Sequence, residues 1–575
     1  MLVDARTIPD NQALETEICI IGGGAAGITL ARKFIGQPFR VSLLESGGFE
    51  FEQETQSLYE GKSVGLPYFP LHVPRLRYFG GATNHWGGLC RPLDDLDFER
   101  QEWIPYSGWP VRKADLEPYY EEARNICQLK VAEWDLAFWQ ERDRYAPFSF
   151  EGDRVITRVA QQAPSSLRRF GQTYRDEVVA AENVTTYLYA NVTDIEADET
   201  AQNVTHLHVA CLAGNKFSIT ARLFVLAVGG IENPRLLLLS NKKQPAGLGN
   251  QHDLVGRFFL EHPRFTAGTF LPSSSRGISG FYLTHHNSQA NIKGYLSLSE
   301  EARRSEKLAD VQIRLEPVYN EAYVEALQSQ EVASFRYLLR AFKRQEQVKQ
   351  FSQHLRNVLT DIMSWQNVVV PGAPVPLPDP LALAGIIEEE LALGVAPEAE
   401  PLLSGFLGDI ALFGVGELFK NVPVEYYHLS TRIDPVPDPD SRITLTTERD
   451  QLGQNRAQLD WRLNPLDKHS ARRTLEVLAA ELGQAGLGRL QIDLDDDDTT
   501  WPEDLAGGSH HMGTTRMSDD PKQGVVDKNC QVYGLSNLFI AGSSVFPTGG
   551  SGTPTLTLVA LTLRLAEHIK ERMND

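Results

Sequence analysis

Cysteine is scarce in this chain. Five residues in 575, at positions 19, 90, 127, 211 and 530, are scattered and odd in number, with no CxxC pair. A disulfide framework, an iron–sulfur site and an attached c-type haem therefore have no support. Long apolar runs are also missing. No stretch of about 18 uninterrupted apolar residues offers an integral membrane segment. The first residues, MLVDARTIPDNQALETE, lack a charged-then-apolar leader. A cytoplasmic, reducing location is the expectation. Basic residues are outnumbered, with 55 Lys and Arg against 75 Asp and Glu, a formal charge of −20. That balance disfavours nucleic acid and anionic membrane as partners. The acid run Asp493-Leu494-Asp495-Asp496-Asp497-Asp498 is expected to be a solvated loop. Three Asn-x-Thr sequons, at Asn183, Asn191 and Asn203, are read as chance in strand sequence, and no internal repeat is visible.

The chain is too long for one core, so two or three domains are expected. Near the start, a short apolar strand, residues 17–21, runs directly into Gly22-Gly23-Gly24-Ala25-Ala26-Gly27 and then the helical pattern ITLARKFIG. This is G-x-G-x-x-G between strand and helix. Gly22 makes the tight turn, Gly24 lets the backbone approach a pyrophosphate, and Gly27 permits close helix–strand packing. A second strand, residues 40–44, ends in Glu45, eighteen residues after Gly27 and placed to accept hydrogen bonds from a ribose. A dinucleotide site follows. A second strand–glycine–helix unit, LFVLAVGG then IENPRLLLLS, contains Ala227 and Gly229 and suits completion of the same sheet.

The loop Gly80-Gly81-Ala82-Thr83-Asn84-His85-Trp86-Gly87-Gly88 mixes glycine with polar and aromatic residues, as backbone crossing a flat ligand requires. Strands are expected over 184–228, 290–298, 311–317, 426–432, 441–447 and 457–463, and helices over 113–127, 321–362 and 468–485. Residues 371–380 are a proline-rich connector and 381–418 carry apolar helical runs, read as packing helices. The last seventy residues hold a histidine loop with His510 and His511, an apolar strand 538–541 and a second glycine loop. A long helix ends the chain, with Thr553 as N-cap and Pro554 at its first position. The fold class is α/β, α+β overall. A Rossmann-like dinucleotide-binding domain (1–95, 184–265 and 495–575) is interleaved with a substrate-binding domain (96–183 and 266–494) built on an antiparallel sheet, with a helical insertion at about 321–420.

Taken together, GGGAAG with Glu45, GGATNHWGG, FVLAVGGIENPRLLL, VGRFFLEHP and SHHMGTTRM…GVVDKNCQVYGLSNLFIAGSSVFPTGGSGTPTLT resemble the glucose-methanol-choline (GMC) flavoprotein oxidoreductases, across most of the chain. The spacing is similar to the bacterial sugar and glycoside dehydrogenase and oxidase branch, including pyranose oxidase-like members. The resemblance implies FAD as cofactor, and oxidation of a CH–OH group on a sugar, glycoside or polyol-like alcohol by histidine-assisted hydride transfer to flavin N5. The electron acceptor would be O2, a quinone or a redox partner. An FAD-containing lyase, or another atypical enzyme of this fold acting on a non-sugar substrate, is the alternative.

The resemblance also places residues. His510, three before Gly513-Thr514, is the base. Thr553 stands where the family usually carries a second catalytic Asn or His, and its hydroxyl cannot act as an acid or base near neutral pH. Gly80, Gly81, Thr83, Asn84, His85, Trp86 and Gly87 contact the flavin, with His85 at the position that is covalently attached in pyranose oxidase-like relatives. Gly542 and Ser543 lie near the pyrophosphate, and Val192 at the adenine end. The helix start at Pro554 and Thr555 points at the flavin pyrimidine edge. No metal ligand set is apparent.

Overall fold

The computed structural model describes residues 1–273, 280–287, 289–319, 424–497 and 500–574. The helices expected over 321–362, the 371–380 connector, the 381–418 segment and the insertion they compose lie outside the described residues.

Short, mostly apolar strands stack into a six-stranded parallel sheet. Its order is Leu2–Asp4, Val184–Leu188, Val41–Leu44, Ile18–Ile21, Leu223–Leu226 and Leu538–Ile540. Every residue of the ICII, VSLL, LFVL and LFI strands is buried, as parallel strands covered on both faces require. The helix Ala25–Phe34 and the long C-terminal helix Thr555–Asn574 pack together against this sheet, and the latter also packs on Lys113–Ile126. A second sheet of four strands joins Gln12–Glu15, Lys216–Thr220, Val204–Ala210 and Asn191–Ala197.

A nine-stranded, largely antiparallel sheet runs Gly488–Ile492, Pro263–Pro272, Val424–Ile433, Val311–Tyr319, Asn291–Leu298, Val155–Gln162 and Leu89–Cys90, with two short strands at its margins. Helix Pro465–Gln484 packs on it. Its start is built by the sequence. Asn464 accepts from Leu466 N, and Asp467 at the third helical position reaches back to the Asn464 backbone. Strands Arg442–Arg449 and Asn455–Trp461 do not join the large sheet. They pair with each other in a fourth, separate sheet, with Lys62–Gly65 beside Asn455–Trp461.

Buried side chains fall into two cores. One surrounds the parallel sheet and also takes in Trp109, Leu116, Tyr120, Phe170 and Val178. The other lies against the antiparallel sheet and takes in Leu71 and Leu505. Asp493 and Asp495–Asp497 of the acid run are exposed, as expected of a solvated loop, with Asp496 and Asp497 reaching Arg472 and Lys468 of the 465–484 helix at 3.3 Å. One expectation is corrected. Thr553 does not cap the last helix. That helix begins at Thr555, its first backbone bond runs from Leu558 N to Pro554 O, and the Thr553 hydroxyl donates to the Leu89 carbonyl instead.

Candidate active site

Three parallel strands, 18–21, 223–226 and 538–540, are neighbours in the sheet and end on the same side. Each reaches glycine within three residues, at Gly22, Gly229 and Gly542. Gly22 has φ +106°, and a Cβ there would meet the Ala227 carbonyl oxygen at 2.6 Å, so the turn demands glycine. A Cβ on Gly27 would lie 1.8 Å from Gly22 O, which accounts for the close helix–strand approach. At Gly24, Gly229 and Gly542, by contrast, a Cβ would meet nothing within 4 Å. These open positions lie at the carboxyl ends of the strands, where doubly wound sheets bind ligands. Gly24 precedes the 25–34 helix without a side-chain cap, leaving its first N–H groups for an anion. The open glycines and the free helix start fit a dinucleotide pyrophosphate.

Beside them a cavity is lined by Gly22, Leu44, Ser46, Val192, Arg77 and Glu232. Val192, expected at the adenine end, is among the residues lining it. Glu232 carries the local charge balance. Arg75 and Arg235 contact it at 2.8 and 3.0 Å, and these guanidiniums hold its carboxyl down at about 2 against the opposing effect of burial. Glu45 is buried, and its carboxylate accepts from Gly23 N and Gly47 N at 2.9 Å each. Its lone pairs thus tie the glycine motif to the strand end, with burial pushing its pKa up. The 80–88 loop crosses directly over the motif. Gly80 N donates to Gly23 O at 2.7 Å, and a Cβ on Gly81 would sit 3.2 Å from the Gly24 Cα. Thr83 and Asn84 are buried and bond within the loop, to Gly80 O and Phe79 O. Trp86 anchors to Arg168 O, whereas His85 and Gly87 are exposed.

The histidine loop reaches the same region from the far end of the chain. His510 and His511 diverge, as extended backbone requires. His511 Nε2 meets the Tyr68 hydroxyl at 2.8 Å, and that hydroxyl donates to Glu261 at 2.5 Å. Glu261 also accepts the backbone N–H groups of Gly508 and His510, and burial raises its pKa to about 7. It therefore clamps the loop that carries both histidines.

His510 faces a residue that sequence reading passed over. His510 Nδ1 and His262 Nδ1 are 2.7 Å apart, and His262 Nε2 lies 2.6 Å from the Gly550 carbonyl. A carbonyl only accepts, so His262 Nε2 carries the proton. Burial lowers the His262 pKa to about 3, which keeps the ring neutral. Its Nδ1 is then a lone pair, and His510 Nδ1–H must donate to it. His510 Nε2 is left without a proton. Burial, then Arg432, His262, Arg314 and His511, hold the His510 pKa well below 6.5. Gly550 is held rigidly for its part. It sits at φ +62°, and neighbouring Gly549 N donates to buried Asp434. The signal for His262 is the LEHP run, which marks only a chain crossover when read by itself. Thr553 makes no described contact with His510.

Two described groups of acidic side chains have metal-like spacing, Asp194–Glu196–His208 and Asp94–Asp97–Asp310. Each already holds a protein cation: Lys242 in the first, Arg158 and Arg303 in the second. Among the described residues no helix is long and apolar enough to cross a membrane.

Comparison with known proteins agrees with this geometry. The chain is 21% identical to 2-methyl-1,2-propanediol dehydrogenase of Mycolicibacterium austroafricanum, over 98% of this chain and 96% of that one. It is also 21% identical to the fructose dehydrogenase large subunit of Gluconobacter japonicus, over 98% and 99%. A shorter stretch, 22% of this chain and 23% of the other, is 34% identical to a C-glycoside 3-oxidase of Microbacterium trichothecenolyticum. The crystal structure of pyridoxine 4-oxidase from Mesorbium loti shares the fold, with a TM-score of 0.51 and 15% identity, over 97% of this chain and 99% of that one. Residues 437–562, which contain His510, Gly550 and Thr553, match the GMC oxidoreductase family in its C-terminal part. That match places the C-terminal segment, residues 437–562, among the GMC oxidoreductases, and the cofactor is FAD.

Proposed function

We propose that this enzyme oxidises a CH–OH group of a sugar, glycoside or polyol-like alcohol, with His510 Nε2 removing the hydroxyl proton. The observation that carries the reading is the enforced tautomer: Gly550 O fixes His262, and His262 fixes His510 with its Nε2 lone pair free. A base must be unprotonated at operating pH and held within hydrogen-bond reach of the proton it takes. Bound FAD supplies the hydride acceptor for the carbon-bound hydrogen. The electrons then pass to O2, a quinone or a redox partner. Gly24, Gly229 and Gly542 would receive the pyrophosphate, Val192 the adenine side, and the 80–88 loop the flavin side. Thr553 commits its proton to Leu89 O, and this reading gives it a structural rather than a catalytic role. The named activities of the full-length relatives, on a diol and on fructose, support the substrate class. A cytoplasmic location is part of the proposal, supported by five free, buried cysteines.

The test is anaerobic mixing of the yellow holoenzyme with sugars, glycosides and simple alcohols. Bleaching of the flavin by at least one of them is expected. Product formed without bleaching would replace oxidation with a lyase reaction. His510→Ala should lower kcat by about 10²–10⁴-fold while FAD content is retained.

A further inference from the structure

Four cations gather on one face of the antiparallel sheet, on the side of the histidine pair. His262 enters the 263–272 strand, and Arg264, two residues on, shares its face. Arg264 lies directly opposite Arg432, which lies opposite Gln312 on its other side. Arg314, two residues beyond Gln312, shares that face, and Lys293 of the next strand feels both Arg314 and Arg432. Like charges opposite one another on neighbouring strands are destabilising. In this chain, with a net charge of −20, carboxylates to offset them are plentiful. Yet among the described residues no carboxylate lies within 4.0 Å of any of the four. Arg432 is only 6% exposed, and its Nε and Nη1 have no hydrogen-bond partner; Arg314 Nη2 has none either. Buried Arg158 is paired with Asp94 and Asp310, and Arg235 with Glu232 and Asp450; buried Arg516, which also lacks a carboxylate, instead lies over the Phe258 ring and donates to Tyr106 O. Of the nearest acids, Glu261 is engaged by Gly508 N, His510 N and Tyr68, and Glu316, whose charge reaches Lys293 and Arg314, is exposed and pairs with neither within 4.0 Å. A buried guanidinium without a counter-charge is costly, and its planar fork matches a carboxylate or phosphate.

We propose that Arg432 and Arg314 bind an anionic group, a carboxylate or a phosphate, carried by the alcohol whose hydroxyl faces His510. Arg264 and Lys293 add attraction from the open end of the same face. The substrate class narrows from alcohols in general to acidic ones, such as sugar acids or sugar phosphates. This rests on the reading of His510 as base, which fixes where the hydroxyl sits.

The test uses the FAD-loaded enzyme at constant ionic strength and follows flavin absorbance while acetate, inorganic phosphate, gluconate, glucose 6-phosphate or glucose is titrated. Saturable binding of the carboxylate or the phosphate series is expected, about 10- to 100-fold tighter than glucose. Which series binds identifies the group. Arg432→Gln and Arg314→Gln should each weaken that binding by about tenfold or more, and Arg432→Lys should recover only part of it. If Arg432→Gln does not fold, Arg314→Gln decides. Glucose binding as tightly as every anion, no saturable anion binding, or unchanged binding in the folded Gln variants would each overturn the proposal. His510→Ala separates the two readings. It should abolish turnover while leaving anion binding intact, and an active His510→Ala enzyme would remove the base while leaving the anion site standing.

Discussion

A single contact sets the chemistry of the proposed base. The neutral His262 ring passes a constraint from the Gly550 carbonyl to His510, so that only one nitrogen of His510 is free to act. Replacing His262 by Phe removes the constraint and orphans a buried carbonyl. The expected cost is about 1–3 kcal/mol of stability, measured by denaturant unfolding, with a fall in kcat of about 10- to 100-fold because the wrong His510 tautomer becomes accessible. His262→Asn keeps an acceptor near the Nδ1 position and should recover part of the rate. Equal loss in both variants would contradict a role in setting the tautomer. Thr553 tests the opposite case. Its hydroxyl holds Leu89 O, so Thr553→Val should lose about 1 kcal/mol of stability with little change in kcat. A hundredfold loss of kcat at unchanged stability would restore the catalytic role implied by family resemblance.

The strand–glycine–helix unit at the start of the chain separates folding from binding within six residues. Gly27 is needed for packing, since a methyl group would meet Gly22 O at 1.8 Å. At Gly24 a methyl group meets no protein atom, and the proposed reading reserves that space for the ligand. Gly27→Ala should therefore destabilise the FAD-free protein by about 2–3 kcal/mol, seen as a lower unfolding midpoint. Gly24→Ala should leave that midpoint unchanged and weaken FAD retention on gel filtration. Identical behaviour of the two variants would mean that the open space at Gly24 is not the cofactor's. The last helix shows how little of an element's position its own residues decide. Thr553-Pro554 looks like a cap followed by a first helical residue, but the turn shifts the start by one residue and spends the threonine on the 89–90 strand.

Charge is distributed unevenly over the protein. The net −20 lies mainly outside the site, while the groups acting on His510 are cationic or neutral: Arg432, Arg314, His262 and His511. Burial and those cations lower the folded pKa of His510, so its neutral, base-competent form persists on going down through pH 6.5. The acid limb of kcat/KM should consequently lie below pH 6.5. Arg432→Gln removes a like charge, raises the His510 pKa and should move that limb upward. A limb that starts above pH 6.5 in the parent enzyme, or that moves down in the variant, would show that the local field has the opposite sign.

Much of the fold was legible because it is written locally. ICII before GGGAAG, LFVL before the 229–239 helix and LFI before Gly542 are continuous apolar runs stopped by glycine, and a buried parallel strand needs no more than that. Gly22, Gly24 and Gly27 declared their separate tasks through spacing alone, and His510 stood out within its loop. The placement of the 442–449 and 455–461 strands was not legible, because alternation marks a strand but does not name its neighbour. Nor was the pairing of Asp496 and Asp497 with a helix. His262 was hidden for the same reason. It lies 248 residues from His510 in the chain, in a run that looks like a connector, and a proton's location depends on which atoms end up 2.7 Å apart. The order of residues thus determined the elements and the glycine turns that join them, which arise from neighbours in sequence. The tautomer of His510 and the uncompensated cations beside it were decided only when the antiparallel sheet folded against the histidine loop, because hydrogen bonds and charge balance depend on distance in space.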